Sequence, residues 1–138
     1  MKALLLIDIQ QGLTSKSLYN ESLFVDTVNY AVNRFRCSGD LIIFVPTDNK
    51  HLRFSQSDWR IDSRVDKRKD DVVILKECGN AFVSTDLKPM LDKHAVKDIF
   101  ICGLVSHGCI KATCIGGFNL GYLTNLIAKG HTGWTQDA

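Results

Sequence analysis

Three side chains of complementary reactivity, Asp8, Lys76 and Cys109, each follow a short apolar run of the sequence. A cysteine thiolate is a nucleophile, and a nearby ammonium group lowers the pKa of a thiol. A carboxylate within reach can take the thiol proton and later deliver it to a leaving amine. Each residue alone has an ordinary reading as a turn, surface or core residue. Together they indicate acyl transfer through a thioester, provided that the fold brings them together.

The apolar runs are nearly continuous rather than alternating, which is typical of strands buried on both faces of a parallel sheet. The predicted strands are Ala3–Ile7, Leu41–Val45, Val72–Leu75, Ile99–Cys102 and Tyr122–Ala128. Ligands of parallel α/β sheets bind outside the carboxyl ends of the strands. Asp8, Lys76 and Cys109 are therefore predicted to meet at one edge of the sheet.

Helical patterns lie between these strands. Apolar residues recur on one face of Asn20–Arg36, and Thr85 and Asp86 offer N-cap chemistry ahead of Leu87. A further helix is predicted from about residue 106 to 120, with Cys109 in its first turn. This alternation predicts an α/β fold with three layers (α/β/α) and a mostly parallel, Rossmann-like sheet of about five to six strands. The 138 residues are expected to form one domain, 1–138.

Composition excludes several classes of function. The net charge of +2 is too small to indicate binding to nucleic acid or to a membrane surface. Five cysteines without a secretory signal or a C-x-x-C motif indicate free thiols in a reducing compartment, so we expect a cytoplasmic protein. The expected partner is a small-molecule substrate.

Segment 47–71 has no clear periodicity and is rich in charged residues. The simplest interpretation is a solvated surface loop. Long loops in compact domains are often functional, however, so part of this one could line a site, with Trp59 as a pocket wall.

Segments 3–10, 76–82 and 103–113 resemble three ordered blocks of the isochorismatase-like cysteine hydrolases, a superfamily that includes nicotinamidases and N-carbamoylsarcosine amidases. The later stretch 121–134 is similar to the next strand of that family. The resemblance implies that Asp8 is the general base and acid, Lys76 the electrostatic partner and Cys109 the nucleophile.

The resemblance also implies a non-proline cis peptide bond just before Ser106, in a turn that includes Val105. This bond would aim the backbone N–H groups of Gly108 and Cys109 at an oxyanion. Gln10, Trp59 and Phe82 are tentative pocket residues. A homodimer or higher homo-oligomer is expected, and no cofactor.

Metal binding is not expected. The nicotinamidases bind a metal through an Asp-x-His pair and a further histidine. Here Asp48 is followed by Asn49, Lys50 and His51, so the histidine is one position too far along and Lys50 occupies the expected ligand position.

Two departures from the family pattern leave alternatives open. Lys129-Gly130 replaces the usual Asp-Ala, and the chain stops at Ala138, so it is either a minimal member or lacks a C-terminal element. The leading hypothesis is hydrolysis of a small amide or related C–N bond. The alternatives are a catalytically silent metabolite-binding domain, hydrolysis of an isochorismate-type vinyl ether, or a thiol-based redox or carrier protein.

Overall fold

The computed structural model describes residues 1–49, 52–53 and 56–136 and shows a parallel sheet with helices on both faces. Its strands are β1 (Lys2–Ile7), β2 (Leu41–Val45), β3 (Val72–Val73), β4 (Asp98–Leu104) and β5 (Leu123–Thr132). Its α-helices are α1 (Gln11–Thr14), α2 (Glu21–Cys37), α3 (Leu87–Lys93) and α4 (Lys111–Asn119). A short 3₁₀ turn covers Ser57–Trp59, and a wide helical turn, Ser106–Ile110, precedes α4. Within the described residues, no helix has the length and apolar character needed to cross a bilayer.

The strand order is β3-β2-β1-β4-β5, and every neighbouring pair is parallel. Strand β1 lies at the centre, and residues 3–7 are at most 1% exposed. Its continuous apolar sequence is required because both faces of the central strand are covered. The predicted α/β class and the five-strand, parallel sheet are confirmed.

Two hydrophobic clusters, one on each face, fix the layers. One cluster joins alternate residues of β1 to Leu87 and Leu91 of α3 and to Ile110 at the start of α4. The other joins the remaining residues of β1 to Phe24 and Val28 of α2. Because every neighbouring pair of strands is parallel, the carboxyl ends of all five strands lie at the same edge of the sheet.

Several predicted boundaries differ from the structure, including both ends of β4, which runs from Asp98 to Leu104. Strand β3 ends at Val73 rather than at residue 75, since this edge strand is paired only through two residues and Leu75 is 40% exposed. The predicted helix 106–120 is interrupted, because Gly108 has non-helical dihedral angles (φ −111°, ψ −110°), and α4 begins only at Lys111. Strand β5 is longer than predicted and continues to Thr132.

The charged loop is held on the body of the protein by ion pairs rather than fully solvated. Asp71 accepts bonds from Arg36 of α2, and the buried Asp62 pairs with Arg64 at 2.8 Å. The guanidinium of Arg64 helps hold the pKa of Asp62 at about 2, against the effect of burial. Residues 56–71 of this loop are therefore structured and packed on the body of the protein.

Gly103 allows β4 to approach β1 closely near the carboxyl ends of the two strands. It pairs with Ile7 and has φ +126°, and a Cβ at this position would overlap the Ile7 carbonyl oxygen. Any side chain here would push apart the strands that precede Asp8 and Cys109.

We expect Gly103→Ala to destabilise the fold by about 3 kcal/mol or more, since backbone atoms cannot move aside without breaking the β1–β4 pairing. Gly39→Ala is the matched control: Gly39 also has positive φ (+71°), but nothing lies within 4 Å of its Cβ position. Its expected cost is about 1 kcal/mol, from backbone strain alone. Urea unfolding of both variants measures the difference, and equal losses would contradict the close-approach argument.

Candidate active site

The ammonium group of Lys76 contacts the side chains of the other two predicted catalytic residues, Asp8 and Cys109. Its Nζ donates to Asp8 Oδ2 at 3.2 Å and lies 3.3 Å from Cys109 Sγ. Lys76 is 1% exposed and Asp8 4% exposed, while Cys109 is half-buried. The structure thus brings together Asp8, Lys76 and Cys109, which are separated by 68 and 33 residues along the chain.

Each of the three residues is positioned by the end of a strand. Asp8 directly follows β1, and its backbone turns into the left-handed region (φ +56°), which an aspartate tolerates better than most residues. Lys76 forms an isolated parallel bridge with Thr47 beyond the end of β3. Cys109 lies in the wide turn between β4 and α4.

Thr47 is a site residue that the sequence did not single out. Its hydroxyl donates to Asp8 Oδ1 at 2.7 Å and accepts from Lys76 Nζ at 2.8 Å. The sequence signal that could have found it is its position: it comes two residues after β2, the strand between β1 and β3.

Gln10 supports this arrangement. Its side chain is fully buried: Nε2 donates to the carbonyl oxygens of Thr47 and Trp59, and Oε1 accepts from the Thr47 N–H. These bonds occupy the amide with backbone groups, so Gln10 braces Thr47 rather than lining a substrate pocket.

The other two tentative pocket residues, Phe82 and Trp59, each have packing or cavity contacts of their own. Phe82 stacks on Tyr122, with ring centroids 5.8 Å apart, and packs against the cluster under α3. Trp59 lines a surface cavity of about 360 Å³ together with loop residues 60–63, 65 and 67, and no triad residue lines it. Their sequence-based assignment rested on residue type, which does not distinguish packing from substrate contact.

The thiol of Cys109 is not acidified in this structure, contrary to the sequence-based expectation. Burial raises the pKa of Cys109, and the charge and hydrogen bond of Asp8 raise it further, while Lys76 lowers it without cancelling these effects. Helix α4 begins two residues after Cys109, so the thiol is not in the first helical turn. The raised pKa favours the protonated form of the Cys109 thiol, which is hydrogen-bonded to the Asp8 side chain.

The turn before Cys109 differs in two details from the expectation. The cis peptide bond joins Leu104 and Val105, one bond earlier than expected; with no proline in the segment, the sequence carries no signal for its position. The Gly108 N–H already donates to the Val105 carbonyl oxygen at 2.9 Å, so it is engaged within the turn rather than directed at an oxyanion.

Ser106 is fixed from the other side of this turn. Its Oγ lies 2.7 Å from Nδ1 of His131 on β5, and burial lowers the pKa of that histidine. Both residues line a cavity of about 370 Å³ between β5 and the start of α2.

The segment compared with the metal-binding motif of nicotinamidases runs from position 48 to position 51. Asp48 is described, but Lys50 and His51 lie outside the described residues. Across residues 1–49, 52–53 and 56–136, no group of three or more His, Cys, Asp or Glu side chains could hold a metal ion.

Alkylation of Cys109 by iodoacetamide, followed against pH by peptide mass spectrometry, tests the electrostatics without a substrate. In the wild type, we expect half-maximal reaction above the ordinary thiol value of about 8.5. Asp8→Asn removes the charge that raises the pKa of Cys109, so its midpoint should fall. Lys76→Met removes the charge that lowers it, so its midpoint should rise.

The exposed thiols of Cys37 and Cys78 serve as internal references in the same digests. Both variants must retain the far-UV circular dichroism of the wild type. Shifts of the same sign in the two variants would contradict the assigned roles.

Comparisons with known proteins identify the family of this chain. Residues 2–138 match the family model of the isochorismatase domain. The chain is 29% identical to the isochorismatase family protein YddQ of Bacillus subtilis over 133 residues, covering 91% of this chain and 74% of YddQ. It is 24% identical to streptothricin hydrolase of Streptomyces noursei over 136 residues, covering 95% of this chain and 49% of that protein. A shorter match, 29% over 59 residues, covers 43% of this chain and 28% of maleamate amidohydrolase of Pseudomonas putida.

The structure is also similar to solved structures. A crystal structure of an isochorismatase family protein superposes with a TM-score of 0.91 at 30% identity, covering 96% of this chain and 81% of the other. The strand order, the strand-end triad and the family match across residues 2–138 lead to one conclusion. This chain belongs to the isochorismatase family of hydrolases.

Proposed function

We propose that the protein hydrolyses a small amide or a related C–N bond through a thioester on Cys109. The observation that carries the proposal is the Lys76 ammonium group, which lies within 3.3 Å of both the Asp8 carboxylate and the Cys109 sulfur. A nucleophile, a base and a fixed positive charge in one buried cluster are the groups that acyl transfer requires.

In the first half-reaction, Cys109 Sγ attacks the substrate carbonyl carbon while its proton passes to Asp8. The carbonyl π electrons move onto oxygen, and they return when the C–N bond breaks. The proton on Asp8 moves to the leaving nitrogen, which departs as a neutral amine or ammonia. Since the resting thiol is protonated, transfer to Asp8 accompanies the attack instead of preceding it.

In the second half-reaction, water attacks the thioester carbonyl. Asp8 takes a proton from this water, and the C–S bond breaks. The Cys109 sulfur is reprotonated and a carboxylic acid is released. Lys76 stays protonated throughout and stabilises the ionised carboxylate in the stages where Asp8 has no proton. The backbone N–H of Cys109 is the donor that we assign to the developing oxyanion.

The names of relatives support a C–N substrate. One similar protein is named a maleamate amidohydrolase and another a streptothricin hydrolase. The match covers 49% of streptothricin hydrolase and 28% of maleamate amidohydrolase, so the substrate is identified by testing a panel of small amides. The expected unit is one domain acting on a small molecule, in a homo-oligomer.

The alternative that the test must separate is a domain of the same fold that binds a metabolite without turning it over. In such a domain, Cys109 would form no thioester. The two candidates differ in whether bound amide is consumed.

Cys109→Ala should reduce hydrolysis of a panel of small primary amides, including maleamate and nicotinamide, to the uncatalysed rate. The reason is that no acyl acceptor remains. Ammonia release measures turnover. Acid quenching of the wild type during turnover should reveal an acyl adduct on the peptide that contains Cys109.

Cys114→Ala is the matched control, because Cys114 lies on α4 and packs against the core. It should retain activity within about two-fold. Turnover that survives in Cys109→Ala would rule out the thioester, and calorimetric binding of an amide that is never consumed would favour the silent domain.

A further inference from the structure

Thr47 links the carboxylate and the ammonium group of the site by a second path. Asp8 and Lys76 contact each other directly at 3.2 Å, and they are also joined through the Thr47 hydroxyl by bonds of 2.7 and 2.8 Å. The two hydrogen bonds through Thr47 are shorter than the direct contact between Lys76 and Asp8. The thioester chemistry assigns no role to this residue.

The direction of these bonds is fixed by charge. A protonated lysine donates hydrogen bonds and cannot accept one. The Thr47 oxygen must therefore accept from Lys76, and the single hydroxyl proton is left to donate to Asp8 Oδ1. With Lys76 protonated and bound to this oxygen, the hydroxyl proton is directed to Asp8 Oδ1, its acceptor at 2.7 Å.

The backbone of Thr47 is held on both sides. Toward β1, Gln10 binds its N–H and its carbonyl oxygen, each at 3.0 Å. Toward β3, Thr47 is bridged to Lys76, whose N–H donates to the Pro46 carbonyl oxygen at 3.0 Å. The hydroxyl thus acts from a fixed point between the two charged groups.

Asp8 itself has few other restraints. Its side chain is buried in a left-handed turn, and one oxygen is bound by Thr47 and the other by Lys76. With one donor on each oxygen, rotation of the carboxylate about its terminal bond is blocked. Removal of the Thr47 donor would take away the bond to Oδ1 and allow the group to turn toward Lys76.

We propose that Thr47 is a positioning residue that holds the Asp8 carboxylate in the orientation in which it exchanges a proton with Cys109. The proposal rests on the proposed hydrolase function, and it also predicts an effect on the thiol in the absence of substrate.

The experiment compares three variants. Thr47→Val removes the hydroxyl and keeps the shape, and Thr47→Ser keeps the hydroxyl and removes the methyl group. Thr132→Val is the matched control, because Thr132 is a buried threonine whose hydroxyl donates to the Tyr19 carbonyl oxygen at 2.6 Å, away from the triad.

On an amide that the wild type hydrolyses, we expect Thr47→Val to lower kcat by about ten-fold to a hundred-fold, because a misplaced base slows proton transfer. KM should change by less than about three-fold, because Thr47 acts through Asp8. Thr47→Ser should keep kcat within about three-fold of the wild type, as should Thr132→Val.

Alkylation of Cys109 against pH gives the readout without substrate. In Thr47→Val, the carboxylate is no longer held beside the thiol, and Lys76 loses an acceptor that competes with sulfur. Both changes lower the pKa of Cys109. The midpoint should shift down, in the direction of Asp8→Asn, and should not shift in Thr47→Ser or Thr132→Val.

Each result decides the matter. Loss of kcat with a lowered midpoint in Thr47→Val alone supports the proposal. Wild-type behaviour of Thr47→Val, equal losses in Thr47→Val and Thr47→Ser, or equal losses in Thr132→Val would overturn it. If the wild type hydrolyses none of the amides, the proposed function fails, and the alkylation midpoints alone decide the role of Thr47.

Discussion

The buried ammonium group of Lys76 organises the site at the carboxyl ends of the strands. Lys76 is 1% exposed, and a charge removed from water must be paired and hydrogen-bonded to be tolerated. Its Nζ is surrounded by a carboxylate, a hydroxyl, the Cys78 carbonyl oxygen and a sulfur. Removing one partner of such a buried pair costs about 3–5 kcal/mol in typical proteins. The groups that would perform the chemistry are thus also the groups that make the buried charge possible.

This arrangement depends on the order of the strands. With β1 at the centre and β2 between β1 and β3, the residues after these strands are neighbours in space although they are distant in sequence. Asp8, Thr47 and Lys76 come from three adjacent strand ends, and Cys109 arrives from β4 on the other side of β1. Gly103 allows β4 to lie close to β1 just before the segments that carry Asp8 and Cys109 leave the sheet.

Much of this could be predicted from the sequence, for reasons that particular residues make clear. The continuous apolar run 3–7 identifies a doubly covered strand, and Asp8 after it identifies the reactive edge. Thr47 could not be recognised, because a threonine after a strand has no distinctive chemistry until its neighbours are known. The break at Gly108 was missed because glycine is compatible with many backbone conformations. The raised pKa of Cys109 depends on burial and on the Asp8 charge, and neither quantity is written in a local motif.

The separation of the site residues onto different strand ends has a consequence for how such an enzyme could be altered. The loop between Thr47 and the start of β3 leaves and re-enters the sheet at fixed points, anchored by Gln10 at one end and by the Arg36–Asp71 ion pair at the other. Part of its interior is also bonded to the chain that follows β1, since the Gln11 N–H donates to the Arg60 carbonyl oxygen at 2.8 Å and the Asp62 N–H donates to the Ile9 carbonyl oxygen at 2.9 Å. A grafted loop would therefore have to preserve the backbone of residues 60–62 for the turn that carries Asp8 to keep its place.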